Sequence, residues 1–258
     1  MPARVVRPHI DTWLLRLSQI ESLTDQELLN GCSPAERQRA QGIRTTARGD
    51  HTKRASPRRQ FLAGRWLARR LVKNTLQQAT STSPPTINIA AQGKPEVISH
   101  PKAKLTISHS GDHVIASCGL LTDADIGVDI EVLQERDTIA LAEQFFHPEE
   151  QRWLKQQVNH TPLFYRLWTA KEAYLKAGGG DDLLSTLQRL YFINSTPPEA
   201  YSHLPGYLYQ SEIDSNPISL CLLGDYSTPP SNLVLDYIEQ RQLPVSTLRL
   251  LPTTPCNY

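Results

Sequence analysis

Between Arg58 and Val72 the apolar residues Phe61, Leu62, Trp66, Leu67, Leu71 and Val72 recur at helical spacing, which predicts a core-facing helix. Upstream, His9 to Leu17 reads as an opening strand that carries Trp13. Thr24 with Glu27 three residues later predicts a short capped helix to Leu29. Ser33-Pro34-Ala35-Glu36 starts another, with a cap, a proline at the first position and then an acid. Ser81 to Pro85 is a loop by composition. After it, strands are predicted over Thr86–Ala90, Leu105–Ser108, Val114–Leu120 and Asp125–Val132, with a turn at Ser110-Gly111-Asp112. Helices follow at Thr138–Phe145, Pro148–Gln157 and Leu163–Ala177, the last closed by Gly178-Gly179-Gly180. From Leu190 onward the expectation is short strands, broken at Thr196-Pro197-Pro198 and Thr228-Pro229-Pro230. Helices and strands mix in both halves, and no internal repeat shows in the letters.

The 258 residues suffice for one large domain or two small ones packed together. At 39% hydrophobic residues and a net charge of +1, the chain can build a core. No apolar run approaches membrane-spanning length. Met1 to Leu17 has neither the apolar stretch nor the cleavage site of a secretory signal. Cys32, Cys118, Cys221 and Cys256 form no CxxC pair, which argues against zinc and a disulfide framework and for a cytoplasmic location.

Candidate chemistry concentrates in two segments. In the strand Ile126-Gly127-Val128-Asp129-Ile130-Glu131, alternate side chains share a face. Asp129 and Glu131 then point one way with Gly127, and the aliphatic residues point into a core. Two adjacent carboxylates repel unless a cation lies between them or one is protonated. Gly127 would leave room for a bulky ligand. In the second segment, Trp168, Glu172 and Lys176 form one stripe of a helix. Alone, Glu172 and Lys176 read as an ordinary surface pair, and Asp129 with Glu131 as the wet face of an edge strand. Together they offer three hard oxygen ligands and a cation, the set a magnesium-diphosphate site needs.

Gly93-Lys94-Pro95 presents a lysine from a turn, and Ser108-His109-Ser110 ends a strand with a possible phosphate donor. Alone, Gly93-Lys94-Pro95 reads as a plain loop, and His109 reads equally as a solvated turn histidine. Arg37 to Arg70 holds eleven Lys and Arg against one acid, Asp50, an asymmetry that implies an anionic partner.

These pieces, in this order, resemble the 4′-phosphopantetheinyl transferases of the surfactin-synthetase-activating type. Gly127-Val128-Asp129-Ile130-Glu131 and Trp168-Thr169-Ala170-Lys171-Glu172-Ala173-Tyr174-Leu175-Lys176 fit that family's two motifs. Arg59-Gln60-Phe61-Leu62-Ala63-Gly64-Arg65, Gly93-Lys94-Pro95 and Ser108-His109-Ser110 fit three upstream landmarks. The match covers about Ser33 to Gly180. This sequence departs at the polar stretch Thr45–Pro57, at Thr106 where many members have asparagine, and at Leu184-Ser185-Thr186 where many have a proline-containing turn.

The resemblance implies an α+β fold of two similar halves related by pseudo-twofold symmetry, residues 1–121 and 122–258, with a ligand cleft between them. It implies a monomer that transfers the 4′-phosphopantetheine arm of coenzyme A to a serine of an apo acyl, peptidyl or polyketide carrier protein. By the family pattern, Asp129, Glu131 and Glu172 hold Mg²⁺, or alternatively Mn²⁺, and Lys176 binds the diphosphate. Lys94, Ser108, His109 and Arg39 hold the nucleotide end. Glu172 is the first choice of general base and Glu131 the second. The basic segment, with Arg58, Arg59 and Arg65, and apolar residues near Phe145, Phe146 and Trp153 are the expected docking surface for an acidic carrier. A Mg²⁺-dependent phosphohydrolase or nuclease, and a nucleic-acid-binding module built on the basic segment, are the competing readings and rank below. Neither nucleic acid nor membrane is expected as a partner.

Overall fold

The computed structural model describes residues 9–45, 56–78, 85–90, 93–178, 183–193 and 199–252. Most of the Thr45–Pro57 stretch, the Thr196-Pro197-Pro198 turn, Gly179, Gly180 and Cys256 lie outside these residues. The chain opens with β1 (His9–Arg16), a 3-10 turn (Leu17–Ile20), α1 (Asp25–Leu29), α2 (Pro34–Gly42) and α3 (Pro57–Gln78). Then come β2 (Ile87–Ile89), β3 (Pro95–Val97), β4 (Ala103–Ser110), β5 (His113–Leu120) and β6 (Asp125–Ile130). Four helices follow: α4 (Thr138–Phe145), α5 (Pro148–Lys155), α6 (His160–Lys176) and α7 (Leu183–Arg189). The chain continues with β7 (Tyr191–Ile193), β8 (Glu199–Ser202), β9 (Gly206–Ile213) and β10 (Asn216–Leu223). It ends with β11 (Ser231–Asp236), β12 (Arg241–Leu243) and β13 (Ser246–Pro252).

The fold is α+β with two main sheets, ordered β12-β11-β1-β5-β4 and β6-β10-β9-β13-β8-β7. A long helix covers each: α3 lies on β4 and β5, and α6 lies on β6 and β10. On α3, Leu62, Leu67, Leu71 and Val72 are fully buried, each worth roughly 1.5–3 kcal/mol on leaving water. The sheets meet where β4 runs beside β6. β11 and β12, from late in the chain, join the first sheet, β11 pairing parallel with β1 from His9↔Ser231 onward.

Local signals account for the first lobe, the five-stranded sheet with α1, α2 and α3 beside it. Ser33 Oγ accepts from the Glu36 amide at 3.3 Å, and Glu36 returns an oxygen to the Ser33 amide at 2.8 Å. Thr24 and Glu27 form the same reciprocal cap. The late strands differ from expectation: β9 and β10 have eight residues each and form a hairpin. Asp214 and Ser215 turn it with φ of 51° and 63°, the left-handed pair a two-residue hairpin turn needs. No described helix is long and apolar enough to cross a membrane.

Candidate active site

The seam between β4 and β6 is built by hydroxyls. Thr106, Ser108 and Ser110 alternate along β4 and so share one face. Thr106 Oγ1 accepts from the Val128 amide at 3.1 Å. Ser108 Oγ donates to Asp129 Oδ1 at 2.7 Å, and Ser110 Oγ donates to Glu131 Oε2 at 2.8 Å. Asp129 on β6 and Glu131 just after it are thus held by side chains of the first sheet. Ile126, Val128 and Ile130 are fully buried on the opposite face, as the alternation requires.

Lys176, from the last turn of α6, donates to Asp129 Oδ1 at 2.6 Å and to Ser108 Oγ at 2.9 Å. Glu172, one turn earlier, shares the partly buried stripe with Trp168. Burial first, then the Asp129 charge, raises the pKa of Glu172. The same two causes push Glu131 up to about 7, against the Ser110 hydrogen bond and the Lys176 charge. Asp129 Oδ2 is buried and has no hydrogen-bond partner.

Gly127 does something other than admit a ligand. A Cβ there would lie 2.1 Å from the Ala173 carbonyl oxygen and 2.4 Å from the Ala177 amide nitrogen. The bare Cα lets α6 seat directly on β6, and that contact brings Glu172 and Lys176 to Asp129.

Away from the carboxylates, Lys94 Nζ pairs with Asp125 Oδ1 at 2.5 Å. Lys94, Asp125, Thr106 and Lys176 line a cleft of about 510 Å³ bounded by elements of both lobes. Arg39 reaches this region: its Nη1 would sit 3.2 Å from a Cβ on Gly93, whose φ of +85° suits glycine. Ser108 and His109 project to opposite faces of β4, Ser108 buried into the carboxylate seam and His109 accessible. The surrounding protein first, and Lys176 second, lower the pKa of His109.

Two expected docking features are used internally. Arg59 donates to the carbonyls of Leu23 at 2.6 Å and Ile20 at 2.7 Å, and Arg58 pairs with Asp25 at 3.2 Å. Arg65 and Arg69 both pair with Glu36, which is fully buried. Much of the basic segment therefore ties α3 to α1 and α2, so its density in the sequence does not by itself signal an anionic partner. Phe146 is fully buried, and Phe145 and Trp153 are partly buried against the same cluster, so none is a free apolar patch.

Sequence reasoning gave no site role to Thr106, Ser110 or Asp125. The first two carry a legible signal, hydroxyls at every second position of a strand. Asp125 carries none, because its partner Lys94 lies 31 residues away.

Among the described residues, no group of three His, Cys, Asp or Glu side chains is arranged to hold a metal. The donor chemistry nonetheless fits a hard divalent cation: two carboxylates side by side, one with an unpartnered buried oxygen and one driven toward protonation by burial first and by its neighbour second.

A family model described as the 4′-phosphopantetheinyl transferase superfamily matches residues 125–227, which include β6 and α6. The transferase-class protein slr0495 of Synechocystis is 37% identical over 142 residues, 52% of this chain and 54% of that protein. The 4′-phosphopantetheinyl transferase gsp of Aneurinibacillus migulanus is 41% identical over 75 residues, 28% of this chain and 30% of that one. The 4′-phosphopantetheinyl transferase AcpT of Salmonella typhi is 30% identical over 172 residues, 65% of this chain and 81% of its own length. The chain thus spans about half of the first relative, under a third of the second and most of the third.

Proposed function

We propose that this chain, which belongs to the 4′-phosphopantetheinyl transferase superfamily, moves the 4′-phosphopantetheine arm of coenzyme A onto a serine of an apo acyl, peptidyl or polyketide carrier protein. The observation that carries this reading is the cluster at the β4–β6 seam. Asp129, Ser108 and Lys176 are bonded together beside Glu131 and Glu172, next to a cleft holding Lys94.

Asp129, Glu131 and Glu172 would hold Mg²⁺, or Mn²⁺ in its place. When bound, the metal neutralises charge on the diphosphate. Lys176 supplies a second positive charge from the protein itself and is fixed in place by Asp129 and Ser108. Lys94, Arg39 and His109 bind the nucleotide end, with Lys94 exchanging Asp125 for phosphate. Ser108 serves the carboxylate seam more than the nucleotide.

The carrier serine oxygen attacks the β-phosphorus. A P–O bond forms to the serine, the bond to the bridging oxygen breaks, and adenosine 3′,5′-bisphosphate leaves. Glu172 takes the serine proton, with Glu131 as the alternative. Residues 1–121 give the nucleotide contacts and residues 122–258 the acidic motifs. One chain provides both walls of the cleft, so a monomer suffices. Cys32, Cys118 and Cys221 are buried free thiols, and the reading puts the reaction in a reducing cytoplasm.

The test is product stoichiometry. Incubation with coenzyme A, Mg²⁺ and an apo carrier protein should release one adenosine 3′,5′-bisphosphate per carrier modified, and none without carrier. Release without carrier would instead identify a phosphohydrolase.

A further inference from the structure

Outside the cleft, on the opposite side of α6, one lysine is engaged in a way the transfer reaction does not use. Lys171 precedes Glu172 in sequence and is fully buried. Its ammonium has three protons and three acceptors: Glu150 Oε2 at 2.9 Å, the Leu187 carbonyl at 2.5 Å and the Leu190 carbonyl. The Phe146 ring lies 5.1 Å from it. Glu150 is buried in turn, and its other oxygen accepts from the Phe192 amide at 3.1 Å. One ammonium therefore gathers α5, α7 and the start of β7 onto a single point of α6.

The sheet-facing side of α6 is made mostly of small side chains, with the fully buried Tyr174 among them. Ala170, Ala173 and Ala177 pack against β10 and β9, and Gly127 lies beneath. The alanines themselves interlock less along the helix axis than leucines would, so Tyr174 and the polar contacts of α6 carry the register. A slide of one residue is about 1.5 Å. That distance is more than half of the 2.6 Å between Lys176 and Asp129 and would misplace the ammonium relative to that carboxylate. On the sheet-facing side, Thr169 shares a hydrogen bond with Ser219 at 3.0 Å and Arg166 donates to Gln210 Oε1 at 3.0 Å, so the Lys171 contacts act together with these. A buried ion pair adds little net stability over apolar residues of the same volume, which leaves the placing of α6 as the role to test for this one.

We infer that the Glu150–Lys171 pair is a positioning device that fixes the axial register of α6, and so sets where Glu172 and Lys176 stand against Asp129. The inference rests on the transferase reading for its kinetic consequence, and on geometry alone for its structural one.

The experiment compares wild type with the apolar double variant Glu150→Leu/Lys171→Met by crystal structure and by transfer kinetics. The device predicts a folded double variant whose α6 is displaced along β6. It also predicts kcat lower by on the order of 10²-fold with KM for coenzyme A within about twofold, since a shift of about 1 Å at reacting groups costs that much. A double variant with α6 superimposable on wild type, or with unchanged kcat, overturns the inference and leaves the pair a structural contact only. Where the double variant does not fold, Glu150→Gln replaces it. The Gln keeps the size and the bond to the Phe192 amide but turns a donor toward the Lys171 ammonium and the His147 amide, and the same displacement and kcat loss are expected. Wild type that transfers nothing to any carrier defeats the functional reading, and the crystal comparison still decides the register claim.

Discussion

Replacing Gly127 with alanine should disable the site through the backbone of α6. The added Cβ would meet the Ala173 oxygen at 2.1 Å, the Ala177 nitrogen at 2.4 Å and the Lys176 carbonyl carbon at 2.7 Å. All three are helix backbone, so no side chain can swing away. To regain ordinary contact near 3.4 Å the helix must retreat by roughly 1.3 Å. The 2.6 Å Lys176–Asp129 contact would then stretch past about 3.5 Å and cease to be a hydrogen bond. Overpacking of this kind costs about 1–3 kcal/mol of stability. Displacement of Glu172 and Lys176 should lower kcat by about 10²-fold. The assay is urea unfolding beside initial rates of carrier modification. Gly42→Ala is the control, because its Cβ would meet nothing within 4 Å. A Gly127→Ala protein with wild-type kcat and unfolding midpoint would refute the claim that this glycine seats the helix.

Other outcomes follow from the same geometry. Metal binding to the free protein should strengthen as pH rises from 6 to 8, by up to about tenfold per unit, because the cation takes the carboxylate form of Glu131 and that group titrates at about 7; calorimetry showing pH-independent affinity for Mn²⁺ would count against it. Arg59→Ala should destabilise by about 1.5–3 kcal/mol through the lost bonds to Leu23 and Ile20 while leaving KM for coenzyme A within twofold, and a large KM change with normal stability would return Arg59 to the binding surface. Asp125→Asn should free Lys94 and lower KM for coenzyme A severalfold, whereas an increase would show that Asp125 helps hold the ligand.

Much of the first lobe was readable because its signals are local. Ser33, Glu36, Thr24 and Glu27 each cap a helix within four residues, and the α3 stripe is periodic. The carboxylate face of β6 followed from alternation alone. What escaped depends on distance in sequence. The Asp214-Ser215 turn lacks the glycine that marks such hairpins, so β9 and β10 were expected to be shorter. The role of Gly127 was misjudged because a glycine beside two acids looks the same whether a ligand or a helix fills the space. The arginines of α3 looked like a partner surface because their acceptors, Glu36, Asp25 and two backbone carbonyls, lie about 30 or more residues away.

The most direct test is intact-mass spectrometry of an apo acyl carrier protein after incubation with coenzyme A, Mg²⁺ and this protein, beside an Asp129→Ala variant and a carrier lacking its acceptor serine. The account predicts a mass gain equal to one phosphopantetheine with wild type, absent from both controls. A folded wild-type protein that adds no mass to fatty-acid, polyketide or peptidyl carriers, or an Asp129→Ala variant that adds it at the wild-type rate, would contradict it.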